Sequence, residues 1–109
     1  MSSKTASRWK RMRDDDSRET ERVLRAEFPA TDAYRYNSAS IRVRVVDERF
    51  KGKTLEKRDA MVDRLLQTLP ERLQAEILNL TMLYPGESEA SLTARLANEE
   101  FEDPTPSQL

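Results

Sequence analysis

The sequence predicts an α+β domain in which a helix, two strands, two helices and a third strand follow one another, with a short C-terminal helix after them. Three observations predict it. Apolar residues recur at three- and four-residue spacing over 20–28, at a spacing of two over 34–45, and at helical spacing again from 55 to 80. Residues that favour turns stand where the period changes: Pro29, the run Asn37-Ser38-Ala39-Ser40, Gly52, and the pair Pro85-Gly86. A chain of 109 residues with no gap in this pattern suits one modest core that buries roughly two thirds of the unfolded surface.

The first helix is expected to start at Asp16, whose carboxylate caps the first-turn amides while Glu19 closes a capping box. It ends at Phe28, before Pro29. Thr20, Val23, Leu24 and Phe28 give it a narrow apolar stripe, with Arg18, Arg22 and Arg25 outside. Tyr34-Arg35-Tyr36 alternates, and so do Ile41, Val43 and Val45 with Arg42 and Arg44, as half-buried strands of a hairpin do. After Gly52 the residues Leu55, Met61, Val62, Leu65, Leu66 and Leu69 share one side of a helix with Thr54 as its N-cap. A second helix follows, with Thr68 and Glu71 as a capping box around Pro70 and Leu73, Ile77 and Leu80 at helical spacing. Leu80 to Tyr84 has the composition of a third strand, closed by Pro85-Gly86. Leu92, Leu96 and Phe101 with small residues between them mark the last helix, from about Ser88, before Pro104 and Pro106. The expected boundaries are a flexible basic arm over 1–15, the domain over 16–86, the C-terminal amphipathic helix over 87–103 and a tail over 104–109.

Charged residues make up 36% of the chain and aromatic residues 6%, so the apolar residues gather in the middle and loose ends are expected. The formal net charge of -1 hides an uneven spread. Lys4, Arg8, Lys10, Arg11 and Arg13 stand at the start without an acid, while Glu87, Glu89, Glu99, Glu100, Glu102 and Asp103 stand at the end against Arg95 alone. The two ends can attract one another. The chain contains no cysteine and no histidine. Disulfides, thiolate nucleophiles and thiolate metal sites are thereby excluded, and no apolar run suits a secretory leader or a membrane span. A cytoplasmic protein without a membrane partner is expected. No motif groups Ser, Lys, Tyr, Asp or Glu into a nucleophile and base, so a non-enzyme is expected.

Arg42 and Arg44 project from one strand face, and Arg35 is expected to join them across the hairpin, making one sheet surface cationic. With helices on the other face, this surface and the nearby Arg49, Lys51 and Lys53 would suit phosphate or an acidic partner, with Arg58 among the phosphate contacts. Tyr34 and Tyr36 are core residues in that register, and stacking platforms only if it differs by one. Arg8, Lys10 and Arg11 around Trp9 have the mix of cation and aromatic ring found in arms that hold nucleic acid or membrane surfaces, the alternative being a disordered solubilising tail. Phe50 is expected to pack under the helix start and Gly52 to take a backbone conformation closed to other residues. Asp14, Asp15 and Asp16 read as a helix start rather than a cation site.

The order of elements, with Phe50 and Gly52 ahead of the long helix, resembles the BolA family, whose fold is similar to a class II KH domain. Family members show Ser-Glu-x-Phe-x-Gly, then a helix opening on Arg-His, then Ile-His-Ala-Leu-Ser. The matching segments here are Asp47-Glu48-Arg49-Phe50-Lys51-Gly52, Arg58-Asp59 and Ile77-Leu78-Asn79-Leu80-Thr81. The resemblance spans residues 16–86 and implies an αββααβ domain with a three-stranded mixed sheet packed against helices. It also implies an iron-sulfur cluster shared with a glutaredoxin, but the family histidines are Leu78 and Asp59 here, and the loop ligand is replaced by Asn37, Ser38, Ala39 and Ser40. None supplies the thiolate or imidazole such a cluster needs, so no cofactor is expected. The resemblance thus implies a binding module without cluster ligation. Its expected partner is nucleic acid, held by Arg35, Arg42, Arg44, Lys51, Lys53, Arg58 and the arm; the alternative is a protein partner such as a glutaredoxin-like protein.

Overall fold

The structure, a computed structural model, describes residues 7–108. Its elements are α1 (Asp15–Arg25), β1 (Thr31–Asn37), β2 (Ser40–Val46), α2 (Leu55–Leu66), α3 (Glu71–Glu76), β3 (Ile77–Leu83), α4 (Glu87–Ala90) and α5 (Leu92–Glu102), with 3-10 turns at Arg8–Met12 and Glu48–Phe50. β1 and β2 form an antiparallel hairpin, β2 pairs with β3 in parallel, and the sheet order is β1-β2-β3. A parallel pair needs a long crossover, which α2 and α3 supply. The fold is the expected α+β one, with a mixed three-stranded sheet and the order αββααβ.

α1 starts slightly earlier than expected. Asp14, not Asp16, is the N-cap: its carboxylate accepts from the Ser17 amide at 2.8 Å, and the Ser17 hydroxyl answers the Asp14 amide at 2.9 Å. Asp16 falls inside the first turn, where the helix dipole favours it and two arginines reach it. The Thr54 cap of α2 forms as expected, accepting from the Lys57 amide. Ahead of it Phe50 is fully buried and stacks on Phe28 with ring centres 5.8 Å apart, and Gly52 turns the chain at φ +78°.

The expected capping box of α3 does not form. The Thr68 hydroxyl donates instead to the Leu65 carbonyl at 2.7 Å, and Pro70 takes the N-cap place without a side-chain bond. α3 also stops at Glu76, so Ile77 to Asn79 are strand rather than helix. Ile77 lies opposite Ile41 and Leu80 opposite Val43, and this pairing with β2 overrides the local helical spacing. At the C-terminus one expected helix is two, because Ser91 is extended and caps α5 through the Ala94 amide.

Two apolar clusters sit on opposite faces of the sheet. Leu24 and Phe28, Ala33, Ile41, Val43, Val45, Val62, Leu66, Leu69, Leu73 and Met82 make the larger one, under α1, α2 and α3. Trp9, Tyr34 and Phe101 make the smaller, under α5 and the Arg8–Met12 turn, flanked by Met12 and Tyr36. Each large side chain buried this way contributes about 1.5–3 kcal/mol of transfer free energy. The second cluster corrects the expected flexible arm: residues 7–13 pack on the sheet because Trp9 has an aromatic pocket to fill, its ring 5.5 Å from that of Phe101. Lys4 lies outside the described residues. The described part of the tail is also tied down, Tyr36 donating to the Thr105 carbonyl and Asn37 to the Ser107 hydroxyl.

Candidate functional site

Most of the cations expected to hold phosphate are already held by acids of this chain. Tyr34 lies opposite Arg42 and Asp32 opposite Arg44, while Arg35 lies opposite Ile41, whose side faces the larger core. The register is therefore the other of the two considered: Tyr34 and Tyr36 share a face with Arg42 and Arg44, and Arg35 does not. Nor is that face open, since α5 lies across it. Arg42 pairs with Glu100 at 2.8 Å and stacks over the Tyr36 ring at 3.6 Å. Arg44 pairs with Asp32 at 2.9 Å and with Glu102, and donates to the Asn98 side-chain oxygen at 2.9 Å. Their side chains keep only 13% and 12% of their exposure.

Arg35 is held by Asp14 and Glu76, each at 2.8 Å, and by Asp16 at 2.9 Å. Arg58 is buried at the start of α2. It donates to the Lys53 carbonyl at 3.0 Å, the Met82 carbonyl at 2.9 Å and Glu87 at 2.7 Å, which ties α2 to β3 and α4. Arg8 pairs with Asp103 at 2.9 Å and reaches the Pro104 carbonyl, so the attraction between the basic start and the acidic end is realised as a direct contact. Lys51 lies over the Tyr84 ring and Lys10 over Trp9. Among the described residues, Lys10, Arg11, Lys51 and Lys53 of the expected set carry no ion pair.

These pairings shift the acids. A hydrogen bond from Arg42 holds the Glu100 carboxyl below the ordinary glutamate value of 4.5, against its partial desolvation. Burial pushes Glu102 up, but bonds from Ser7 and Arg44 outweigh it and leave the group lowered. Asp16 is lowered first by Arg72, and Asp47 by Arg49. No group of three or more metal-ligating side chains exists among the described residues, and Leu78, Asp59 and Asn37 to Ser40 provide no thiolate or imidazole. The donors do not fit the iron-sulfur cluster that the resemblance implies. No helix among the described residues is long and apolar enough to cross a membrane.

The surface left unsatisfied lies elsewhere, along the outer edge of β3. A groove of about 520 Å3 runs there between the start of α2, with Lys53 and Leu55, and α5, with Ser91, Thr93, Ala94 and Ala97; Asn79 to Leu83 form its floor. A neighbouring hollow of about 310 Å3 continues it past Leu78 and Leu80 towards Asp59 and Asp63 of α2. Leu55 on the α2 bank of the groove and Leu78 in the neighbouring hollow are each 69% exposed. Large apolar side chains left exposed along a concave surface are the mark of a contact site. Leu80 packs against the larger core as expected, whereas sequence reasoning placed Leu55 on the core side of its helix and missed the groove. Its one signal was Leu78, an apolar residue between Ile77 and Asn79 at a position that the helical spacing leaves outside the core stripe.

No family model matches the chain, and no curated protein matches it. Among solved structures it is similar to BolA1 from Arabidopsis thaliana, with 20% identity, a TM-score of 0.47, and coverage of 68% of this chain and 96% of that one.

Proposed function

We propose that the chain is a non-enzymatic protein-interaction module that takes a polypeptide segment in the groove along β3. One observation carries this reading: the arginine face of the sheet is closed by the chain's own acids, while a groove along β3 stays open, with Leu55 exposed on its bank and Leu78 in the adjoining hollow. Binding phosphate on the arginine face would first require breaking partly buried charge pairs, which costs several kcal/mol before any gain. An apolar groove on a strand edge has no such cost. Its lining holds no histidine or cysteine, and its acid, Glu87, is already paired with Arg58.

The test is a selection from a displayed random-peptide library on the immobilised chain, followed by backbone amide NMR with the recovered peptides. A glutaredoxin-like protein, the partner the resemblance implies, and short RNA and DNA enter the same titrations at low and moderate salt. The expected result is peptide binding that shifts the amides of Leu55, Leu78 to Leu83 and Ala94 to Ala97 and is lost in Leu78→Lys. Failure to recover any such peptide overturns the reading. So does oligonucleotide binding confined to Lys51, Lys53, Lys10 and Arg11 that falls by about one log unit per log unit of salt for each phosphate held, which returns the function to nucleic acid.

A further inference from the structure

Resting on the reading that the β3 edge is a docking site, we propose what occupies it: an extended segment added as a fourth strand antiparallel to β3, acidic at its N-terminal end, basic at its C-terminal end and β-branched between. Side chains cap both edges of the sheet in part, and the middle of β3 is left uncapped. On β1 the Ala33 amide donates to the Glu21 carboxylate at 2.9 Å and Arg25 donates to the Thr31 carbonyl at 2.8 Å; at the end of β3 the Tyr84 amide likewise donates to the Glu87 carboxylate at 3.0 Å. On β3 the Met82 carbonyl is turned away from β2 and is bound by Arg58. Alternation along the strand turns Leu80 the same way, and among the described residues no partner reaches its amide or carbonyl. Leu78 is the extra residue of a bulge, unmatched on β2, since Ile41 pairs with Ile77 and Arg42 with Asn79. Between the Arg58 cap at Met82 and the Leu78 bulge no proline, charge or covering loop of the described residues occupies the edge, and the Leu80 groups there are open to strand addition.

The banks of the groove set the chemistry of the incoming strand. Its side chains alternate between the two faces of the sheet. One set meets Leu55 on α2, and the other meets Ala94 and Ala97 on α5, which are small enough to leave depth for valine, isoleucine or threonine. Charge then fixes the direction. Lys53 stands at the Met82 end, and Asp59 and Asp63 stand at the Leu78 end, none of them in an ion pair among the described residues. A strand that begins beside Lys53 and ends beside the two aspartates runs antiparallel to β3, the more stable pairing, and reads from acid to base.

Two blocked peptides of about ten residues test this, both with alternating valine and threonine in the middle. One has two acids first and two bases last; the other has the charges exchanged. The acid-first peptide is expected to bind at least fivefold more tightly, to protect the Leu80 amide from hydrogen exchange, and to lose binding more than tenfold when its central valine amide is methylated. Lys53→Glu, on an exposed residue, is expected to weaken the acid-first peptide roughly fivefold and to strengthen the charge-exchanged one. Equal binding of the two peptides, tighter binding of the base-first one, or indifference to methylation overturns the proposal. If library-selected peptides still bind the groove, the protein-docking reading survives that failure. Sedimentation of the chain alone gives the remaining outcome: a dimer abolished by Leu78→Lys would assign the edge to a second copy and overturn the proposal.

Discussion

The two faces of the sheet are built on different principles. Under α1, α2 and α3 the contacts are apolar, with Phe28, Phe50, Val43 and Val62 fully removed from water. Under α5 the contacts are three aromatic rings ringed by ion pairs, where Arg42 meets Glu100 and Arg44 meets Asp32 and Glu102. The first arrangement rests on shape and exclusion of water at its centre, with the ion pairs of Arg35 and Arg58 at its margins. The second depends also on the protonation of its acids and on segments from both ends of the chain meeting. The difference teaches that an arginine pair in an alternating strand can be an anchor for a covering helix as well as a binding face.

The comparison breaks first at the larger core. Phe50→Ala is expected to lower the stability of the whole domain by about 3–5 kcal/mol, with far-ultraviolet dichroism and Trp9 fluorescence changing together in a denaturant titration. On the other face Phe101→Ala should cost somewhat less, about 3 kcal/mol, because Trp9 and Tyr34 can close part of the gap. Hydrogen exchange should then show α5 and the Arg8–Met12 turn losing protection while β2 keeps it. Loss of protection at both faces alike would mean that they form one cooperative unit.

Arg44→Ala leaves Asp32 and Glu102 facing one another without their cation and should cost about 2–3 kcal/mol, measured by the same titration. Acid should act on the same face. Glu100 and Glu102 are lowered in the folded chain, so the stability they contribute is present above the ordinary value of 4.5 and is lost as pH falls through their lowered values. Trp9 fluorescence should therefore change below about pH 4.5, and in Glu100→Gln that part of the acid response should shrink. The smallest effect is expected for Arg22→Ala. Its pair with Glu19 is exposed on α1, and thermal unfolding should show a change within about 0.5 kcal/mol.

The local parts of this architecture were legible in the residues. Thr54 ahead of a helical apolar pattern, the alternation of Ile41, Val43 and Val45, and Phe50 with Gly52 are signals contained within a few positions, and the fold order followed from them. What could not be read was what covers the sheet. Alternation of arginine with valine says that Arg42 and Arg44 leave the apolar core; it does not distinguish water from a helix that brings Glu100 and Glu102 from 58 residues away. Trp9 carried a signal that was passed over, since a single tryptophan amid cations has enough apolar surface to dock on a sheet. The boundary between α3 and β3 failed for a related reason: Ile77 and Leu80 fit helical spacing as well as strand pairing, and only the presence of β2 decides between them.

The contact between Ser7 and Glu102, 95 residues apart, has a bearing on the order of assembly. Contacts that close nearly the whole chain form late, after those made by neighbouring segments. During synthesis the hairpin and α2 can come together while α5 is still inside the ribosome. Until Phe101 emerges, Trp9, Tyr34 and the sheet arginines stand uncovered. The nascent chain therefore displays, for a short time, the cationic aromatic face that the finished protein hides.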